Sequence, residues 1–111
     1  MGLEFVETRI FTRRVAELGL ESQVRDLQLE LVANPGAGAV DAGTGGLRKV
    51  RVPDAGRGKG KRGGARVHYL LLSHRERIYL VYVYGKGEAD VLTPDQKKQL
   101  RGVVEAIKRE G

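Results

Sequence analysis

The sequence predicts an α+β domain in which an N-terminal strand, a helical hairpin and a C-terminal helix pack on a mainly antiparallel sheet, with the helices against one face. Apolar residues recur at helical spacing before residue 35 and after residue 93, whereas residues 47–84 are rich in β-branched and aromatic side chains. The predicted element order is therefore β-α-α-β-β-β-α. A chain of 111 residues suits one domain, which we expect to span residues 1–111.

The predicted N-terminal strand, residues 3–7, makes Phe5 available to the core and leads directly into a helix. Thr8 can cap this helix because its hydroxyl can accept a hydrogen bond from the first turn. Gly19 is a typical helix end, since glycine adopts a left-handed conformation without strain. The apolar face of the helix consists of Phe11, Val15 and Leu18.

A second helix is expected to begin at Ser22, which can act as its cap. It ends at Asn34, because a residue that precedes a proline is disfavoured in the helical conformation. Its apolar stripe consists of Val24, Leu27, Leu31 and Val32. Two helices joined by so few residues form an antiparallel hairpin.

Three strands are predicted in the centre of the chain, at residues 47–52, 65–72 and 78–84. Glycine-rich or proline-containing stretches bound the first two of them, and residues 73–77 form a short hairpin turn between the last two. Strands joined in this way pair antiparallel.

The C-terminal helix begins with three signals together. Thr93 is the predicted N-cap, Pro94 occupies the first helical position, and Gln96 completes a capping box. The buried stripe of this helix is predicted to consist of Leu100, Val103, Val104 and Ile107.

Positive charge is concentrated in one segment of the chain. Lysine and arginine outnumber the acidic residues by twenty to fourteen, and residues 48–66 alone carry +7, so the remainder sums to −1. The eight cations of this segment are Arg48, Lys49, Arg51, Arg57, Lys59, Lys61, Arg62 and Arg66. Ten of the sixteen glycines lie between residues 36 and 64, which predicts loops that can adapt to a phosphate backbone. A solubilising surface is the simpler alternative, although such surfaces usually mix both signs.

Absent residues exclude or disfavour several classes of protein. The chain has no cysteine, which excludes a disulfide scaffold, a thiolate zinc site and a cysteine nucleophile. Its two histidines, His68 and His74, match no metal-binding spacing, so we expect neither a metal nor a cofactor. No apolar run is long enough to span a bilayer, and we therefore expect a cytoplasmic protein without a membrane partner.

The alternation of side chains along the strands sorts the central cations by face. If the valines of the first two central strands face the helices, one set of polar side chains lines the uncovered face. That set is Lys49, Arg51, Arg66 and His68. Such a face can grip a phosphodiester backbone, while the alternative is the usual polar outer face of an antiparallel sheet.

Several segments together resemble the HigB-type branch of the RelE/ParE toxin superfamily, over residues 4 to about 104. They are LRKVR at 47–51, GKGKRGG at 58–64, ARVHY at 65–69, YGK at 84–86 and LTPDQ at 92–96. The resemblance implies a toxin of a type II toxin–antitoxin system that cleaves translated mRNA on the ribosome. It also implies a cognate antitoxin, which we expect to be of the helix-turn-helix type.

Site residues follow from matching this chain to the family pattern. Lys49, Arg51, Arg66 and Lys86 match its catalytic positions, and Arg66 with Tyr69 looks like the motif whose arginine contacts the scissile phosphate. We expect further RNA contacts from Arg48, Arg57, Lys59, Lys61, Arg62 and His68. The proton carrier is open between Lys49, since neighbouring cations favour the neutral form of a lysine, and His68.

Two other functions fit the same resemblance. One is a ParE-like toxin that inhibits gyrase without catalysis, and the other is an RNA-binding homologue with weak catalysis. The departure that keeps the second alternative open is Gly87, which occupies a position where RelE carries an arginine.

Overall fold

The computed structural model describes residues 2–53, 64–85, 87–88 and 91–110. Its helices are α1 (Arg9–Leu18), α2 (Glu21–Ala33) and α3 (Pro94–Arg109). Its strands are β1 (Glu4–Glu7), β2 (Ala39–Val40), β3 (Arg48–Val52), β4 (Ala65–Leu72) and β5 (Arg77–Gly85). This order confirms the predicted α+β architecture and, among the described residues, adds the two-residue strand β2 and a turn of 3₁₀ helix. None of the helices described has the length and apolarity needed to cross a membrane.

The five strands form one sheet in the order β1-β5-β4-β3-β2. β1 runs parallel to β5, and the other neighbouring pairs are antiparallel, so the predicted mainly antiparallel sheet is confirmed. A turn of 3₁₀ helix, Ser73–Arg75, joins β4 to β5, where the sequence predicts a short connection.

A β-bulge changes the faces of β5 halfway along its length. His68 pairs with Tyr82 and Tyr69 pairs with Leu80, so Val81 is the extra residue on β5. Residues 78 and 80 consequently face one side of the sheet, whereas Tyr82 and Tyr84 face the other. The bulge thereby places two tyrosines beside the polar side chains of β4.

The two faces of the sheet carry separate apolar cores. Phe11 of α1 and Leu27 of α2 pack on one face, against Val67 and neighbouring residues. Leu100 and Val104 of α3 pack on the opposite face, so the expectation that all helices cover one face is wrong. An amphipathic helix must bury its apolar stripe, and the second face offers apolar partners, namely Leu70, Leu72, Tyr79 and Val81.

The helix ends follow the predicted capping signals with one exception. Thr8 accepts a hydrogen bond from the Phe11 amide, and Thr93 and Gln96 form the complete capping box. α2 begins at Glu21 rather than after Ser22, because the buried Leu20 occupies the N-cap position without a side-chain hydrogen bond.

Two residues predicted in apolar stripes are exposed. Val32 of α2 is 55% exposed and Val103 of α3 is 37% exposed. Both lie at the margin of their helix stripe, where periodicity alone does not decide which side the packing covers.

Candidate functional site

Four predicted site residues of β3 and β4 lie on one face of the sheet, as strand alternation predicts. This is the face on which α3 packs, so the expectation that these residues line an uncovered face is wrong. Arg51 pairs directly with Arg66, and Lys49 pairs directly with His68. Paired Cα atoms in antiparallel strands are about 4.5–5.5 Å apart, and alternate residues along a strand are about 6.7 Å apart. The four residues therefore occupy the corners of a small rectangle.

Two tyrosines of β5 extend this rectangle into two rows across three strands. Tyr84 pairs with Arg66, and Tyr82 pairs with His68. We call the two lines, Arg51–Arg66–Tyr84 and Lys49–His68–Tyr82, the cationic rows. Without the bulge at Val81, the tyrosines would face the opposite core.

Exposure differs sharply along the cationic rows. Arg51 is exposed and Lys49 is partly exposed, whereas Arg66 is 3% exposed. The Arg66 guanidinium donates a hydrogen bond from Nη1 to the Gly64 carbonyl oxygen at 3.0 Å. Among the row residues, β3 thus presents its positive charges to solvent, and β4 holds its arginine below them.

His68 is fully buried and anchored by a carboxylate. Its Nε2 lies 2.8 Å from Asp41 Oδ2, and its ring stacks on Tyr84 with centroids 5.7 Å apart. Burial lowers the pKa of His68 below its ordinary value, although the hydrogen bond to Asp41 acts in the opposite direction. A neutral imidazole donating Nε2–H to Asp41 fits this environment. Its position does not favour the predicted contact between His68 and RNA.

Asp41 links β4 to α3. Burial by itself raises the pKa of Asp41, but the hydrogen bonds from His68 and Lys97 outweigh it, and the net pKa lies below its ordinary value. Lys97 Nζ lies 3.2 Å from Asp41 Oδ1 and 2.9 Å from the Ala42 carbonyl oxygen. Sequence reasoning missed Asp41, because a single aspartate in a loop gives no local signal for such a contact.

Arg48, predicted to contact RNA, lies on the opposite side of β3 from the cationic rows. Its Nη1 donates to the Gly38 carbonyl oxygen at 2.7 Å. Tyr69, its partner on β4, donates to the Pro35 carbonyl oxygen at 2.8 Å and accepts from the Gly38 amide at 3.1 Å. Arg48 and Tyr69 therefore hold the 35–38 loop, and Tyr69 points away from Arg66.

A groove of about 550 Å³ opens beside the outer edge of β3. Lys49 and Arg51 line it together with Glu30 of α2 and the 37–39 segment. The groove gives a large ligand access to Lys49 and Arg51. The contribution of Glu30 to its wall could not be predicted from the sequence.

The remaining predicted site residues lie outside the described residues. They are Arg57, Lys59, Lys61, Arg62 and Lys86. In the part of the chain that the structure describes, no three His, Asp or Glu side chains cluster as a metal site.

One family model matches this chain over residues 8–109, and its description is the RelE toxin of the RelE / RelB toxin-antitoxin system. The matched stretch contains both cationic rows and all three helices.

Proposed function

The chain belongs to the RelE toxin family of toxin–antitoxin systems, and we propose that it is a metal-independent endoribonuclease that cleaves mRNA on the translating ribosome. We further propose that a cognate helix-turn-helix antitoxin neutralises it. The observation that carries the proposed activity is the pairing of Arg51 with Arg66 and of Lys49 with His68 on one sheet face.

Cleavage of RNA without a metal needs three events at one phosphate. The 2′-oxygen loses its proton and attacks phosphorus, and the bond from phosphorus to the 5′-oxygen breaks. The products are a 2′,3′-cyclic phosphate and a 5′-hydroxyl, which receives a proton. Negative charge builds on the phosphoryl oxygens in between, and fixed cations aimed at it lower the barrier.

Arg51 and Arg66 suit this charge because a guanidinium stays protonated and can bind two phosphate oxygens at once. They are adjacent across the β3–β4 ladder, so both can face one phosphate. Arg51 is exposed and can contact the substrate directly. Arg66 is 3% exposed, so its contact with a phosphate requires the residues that cover it to move.

Lys49 is the better placed of the two candidate proton carriers. It is partly exposed and lines the groove at β3, whereas His68 is buried and already bonded to Asp41. Lys86 remains a predicted contributor, without an assigned role, and the ribosome would hold the mRNA in line for attack.

The decisive experiment maps mRNA ends by primer extension after brief induction of the toxin. The test variant is Arg51→Ala, because Arg51 is exposed and its loss removes charge without opening the core. Arg25→Ala is the matched control, since Arg25 is an exposed arginine of α2, on the opposite side of the sheet.

Wild type and Arg25→Ala should produce cuts in phase with codons that disappear when translation is blocked. Arg51→Ala should reduce these cuts by roughly 100-fold, as removal of one charge-stabilising donor typically does. Growth arrest with intact mRNA would refute the proposal and favour gyrase inhibition. Intact mRNA with normal growth would favour an RNA-binding homologue that does not cut.

A further inference from the structure

A second cleft lies where α1, β5 and α3 meet, at the far end of the row that contains Lys49. It has a volume of about 260 Å³. Its lining combines apolar side chains with one aromatic ring and two amides, namely Ile10, Leu100, Val103, Tyr82, Gln96 and Gln99. Apolar walls with a few polar groups are typical of sites that bind a flat, partly polar ligand.

We propose that this cleft is a base-binding subsite, in which a nucleobase of the bound RNA stacks on Tyr82. This inference rests on the proposed ribonuclease function and deepens it, because it assigns a position for a base near the cleaved phosphate. Aromatic side chains are the usual platforms for unpaired bases.

The register of the sheet connects the cleft to the exposed cations. Lys49 pairs with His68, and His68 pairs with Tyr82, so the Cα atoms of Lys49 and Tyr82 are two strand spacings apart. Two spacings amount to about 10 Å. His68 between them is fully buried under its contact with Asp41, so the RNA must pass over the Asp41–Lys97 ion pair. A single strand whose phosphate contacts Lys49 or Arg51 spans such a distance within a few nucleotides.

Asp41 places a carboxylate beside this path, and both His68 and Lys97 bind its oxygens, so its charge is compensated. The first turn of α3 carries both Asp95 and Lys97 beside Gln96, and the Lys97 ammonium binds Asp41 and the Ala42 carbonyl oxygen. The link through the row to Lys49 and its neighbour Arg51 favours an RNA base over an apolar peptide as the occupant.

The ring of Tyr82 is held in place by a series of aromatic contacts. Its centroid lies 5.9 Å from that of Tyr84, whose ring stacks on His68, and His68 is held by Asp41. Tyr82 itself is only partly buried and lines the cleft, so part of the residue is accessible to a ligand. A platform that is already ordered loses little entropy when a base stacks on it.

The two amides supply hydrogen bonds for the edge of a base. Gln96 Oε1 accepts from the Thr93 amide at 2.8 Å, which fixes this side chain and leaves its NH₂ group to donate. Gln99 is exposed and makes no side-chain hydrogen bond to any residue that the structure describes. An amide that can donate and accept suits base edges of either kind.

The test is equilibrium binding of a labelled single-stranded oligoribonucleotide that carries 2′-deoxy sugars at the cleavable positions. Wild type is compared with Tyr82→Leu, which keeps apolar bulk but removes the ring, and with Tyr82→Phe, which keeps the ring. Loss of one stacked base should weaken binding by roughly 5- to 100-fold in Tyr82→Leu, and Tyr82→Phe should bind like wild type.

A second series replaces one nucleotide at a time by an abasic residue. One position should weaken binding to wild type and have little effect on Tyr82→Leu, because the base and the ring act as a pair. Gln99→Ala, on the exposed surface of α3, tests the same cleft without touching the core. This variant should weaken RNA binding by a smaller factor than Tyr82→Leu. If Tyr82→Leu does not fold, Gln99→Ala alone tests whether the cleft binds a base.

Failure of the subsite and failure of the proposed function give different results. If Arg51→Ala weakens RNA binding but Tyr82→Leu, Gln99→Ala and the abasic series do not, the base subsite is wrong and the cationic rows stand. If wild type and Arg51→Ala bind RNA equally or not at all, the proposed RNA interface itself is wrong. If Tyr82→Leu impairs binding of a protein partner and not of RNA, the cleft is a protein interface.

Discussion

Asp41 explains how the sheet tolerates an imidazole inside it. A buried polar group costs free energy unless it has a hydrogen-bond partner, and the carboxylate of Asp41 provides one for His68 at 2.8 Å. Lys97 in turn balances the charge of Asp41 from α3. The contact therefore ties a helix, a loop and a central strand together at the residue that pairs with Lys49.

Stability should fall as the pH is lowered below about 6.5, where a histidine of the unfolded chain takes up a proton. The folded-state pKa of His68 is lowered, so the unfolded state binds the proton first and gains from acidification. The free energy of unfolding then falls by up to about 1.4 kcal/mol per pH unit. This fall continues until the pH reaches the folded-state pKa of His68. Asp41, whose pKa is also lowered, does not titrate until far more acidic pH.

Urea unfolding at pH 7.5 and 5.5 measures this dependence. His74→Asn is the matched control, because His74 is exposed in the β4–β5 turn and should leave the slope unchanged. His68→Asn should remove most of the slope along with some stability. A wild type equally stable at both pH values would contradict the role assigned to burial of His68.

At the scale of elements, the outer edge of β3 depends on how closely β2 and its preceding loop approach it. β2 pairs with only two residues of β3, Arg48 and Lys49. Gly38 precedes β2, and a Cβ atom placed there would lie 2.7 Å from the Lys49 carbonyl oxygen. The loop reaches Lys49 because this position lacks a side chain.

Gly38→Ala should therefore disturb the site as well as the fold. The added methyl would also lie 2.7 Å from Val50 Cγ1, so the backbone of the loop or of β3 must shift. We expect a loss of about 1–3 kcal/mol in the free energy of unfolding. We also expect reduced mRNA cleavage, because the shift moves Lys49 away from its place in the site. Urea unfolding and primer extension on the same protein check both effects.

Gly36→Ala provides the control in the same loop. The nearest atoms to its added Cβ belong to the Arg48 guanidinium, at an ordinary distance of 3.9 Å. This variant should be close to wild type in stability and cleavage. Equal effects of the two substitutions would show that loop flexibility, rather than the approach to Lys49, is responsible.

At the scale of the whole molecule, the net charge of +6 favours RNA, but its distribution decides where RNA binds. Lys49 and Arg51 present charge on the face of the cationic rows, whereas Arg48 turns to the other side and bonds to its own loop. A basic residue contributes to the salt dependence of binding only if it displaces counterions from a phosphate.

RNA affinity should thus fall with salt, and the slope should identify the residues that contact phosphate. For single strands, each contact adds about 0.7 to the slope of log K against log salt concentration. Arg51→Ala should lower that slope by about 0.7, and Arg25→Ala should leave it unchanged. Affinities measured over a range of KCl concentrations test this, and equal slopes for all three proteins would place RNA elsewhere.

Local sequence patterns were enough to predict most helices and strands and part of the candidate site. The caps at Thr8 and Thr93 depend on side chains within three residues, and the period of two along β3 and β4 assigns Lys49 and Arg66 to one face. The predicted cap of α2 at Ser22 is wrong because Leu20 is buried in the core at the N-cap position, and this burial outweighs the capping preference of Ser22.

The sequence by itself therefore determined the order of the main elements, the antiparallel hairpin of β4 and β5, and the alternation that separates cations from valines along β3 and β4. All three depend on neighbours along the chain. Only the tertiary structure decided the rest. Three features join residues that are far apart in sequence: the bulge at Val81, the packing of α3 on the second face, and the contact between Asp41 and His68. Such contacts are set by how whole surfaces pack together, and no local spacing encodes that outcome.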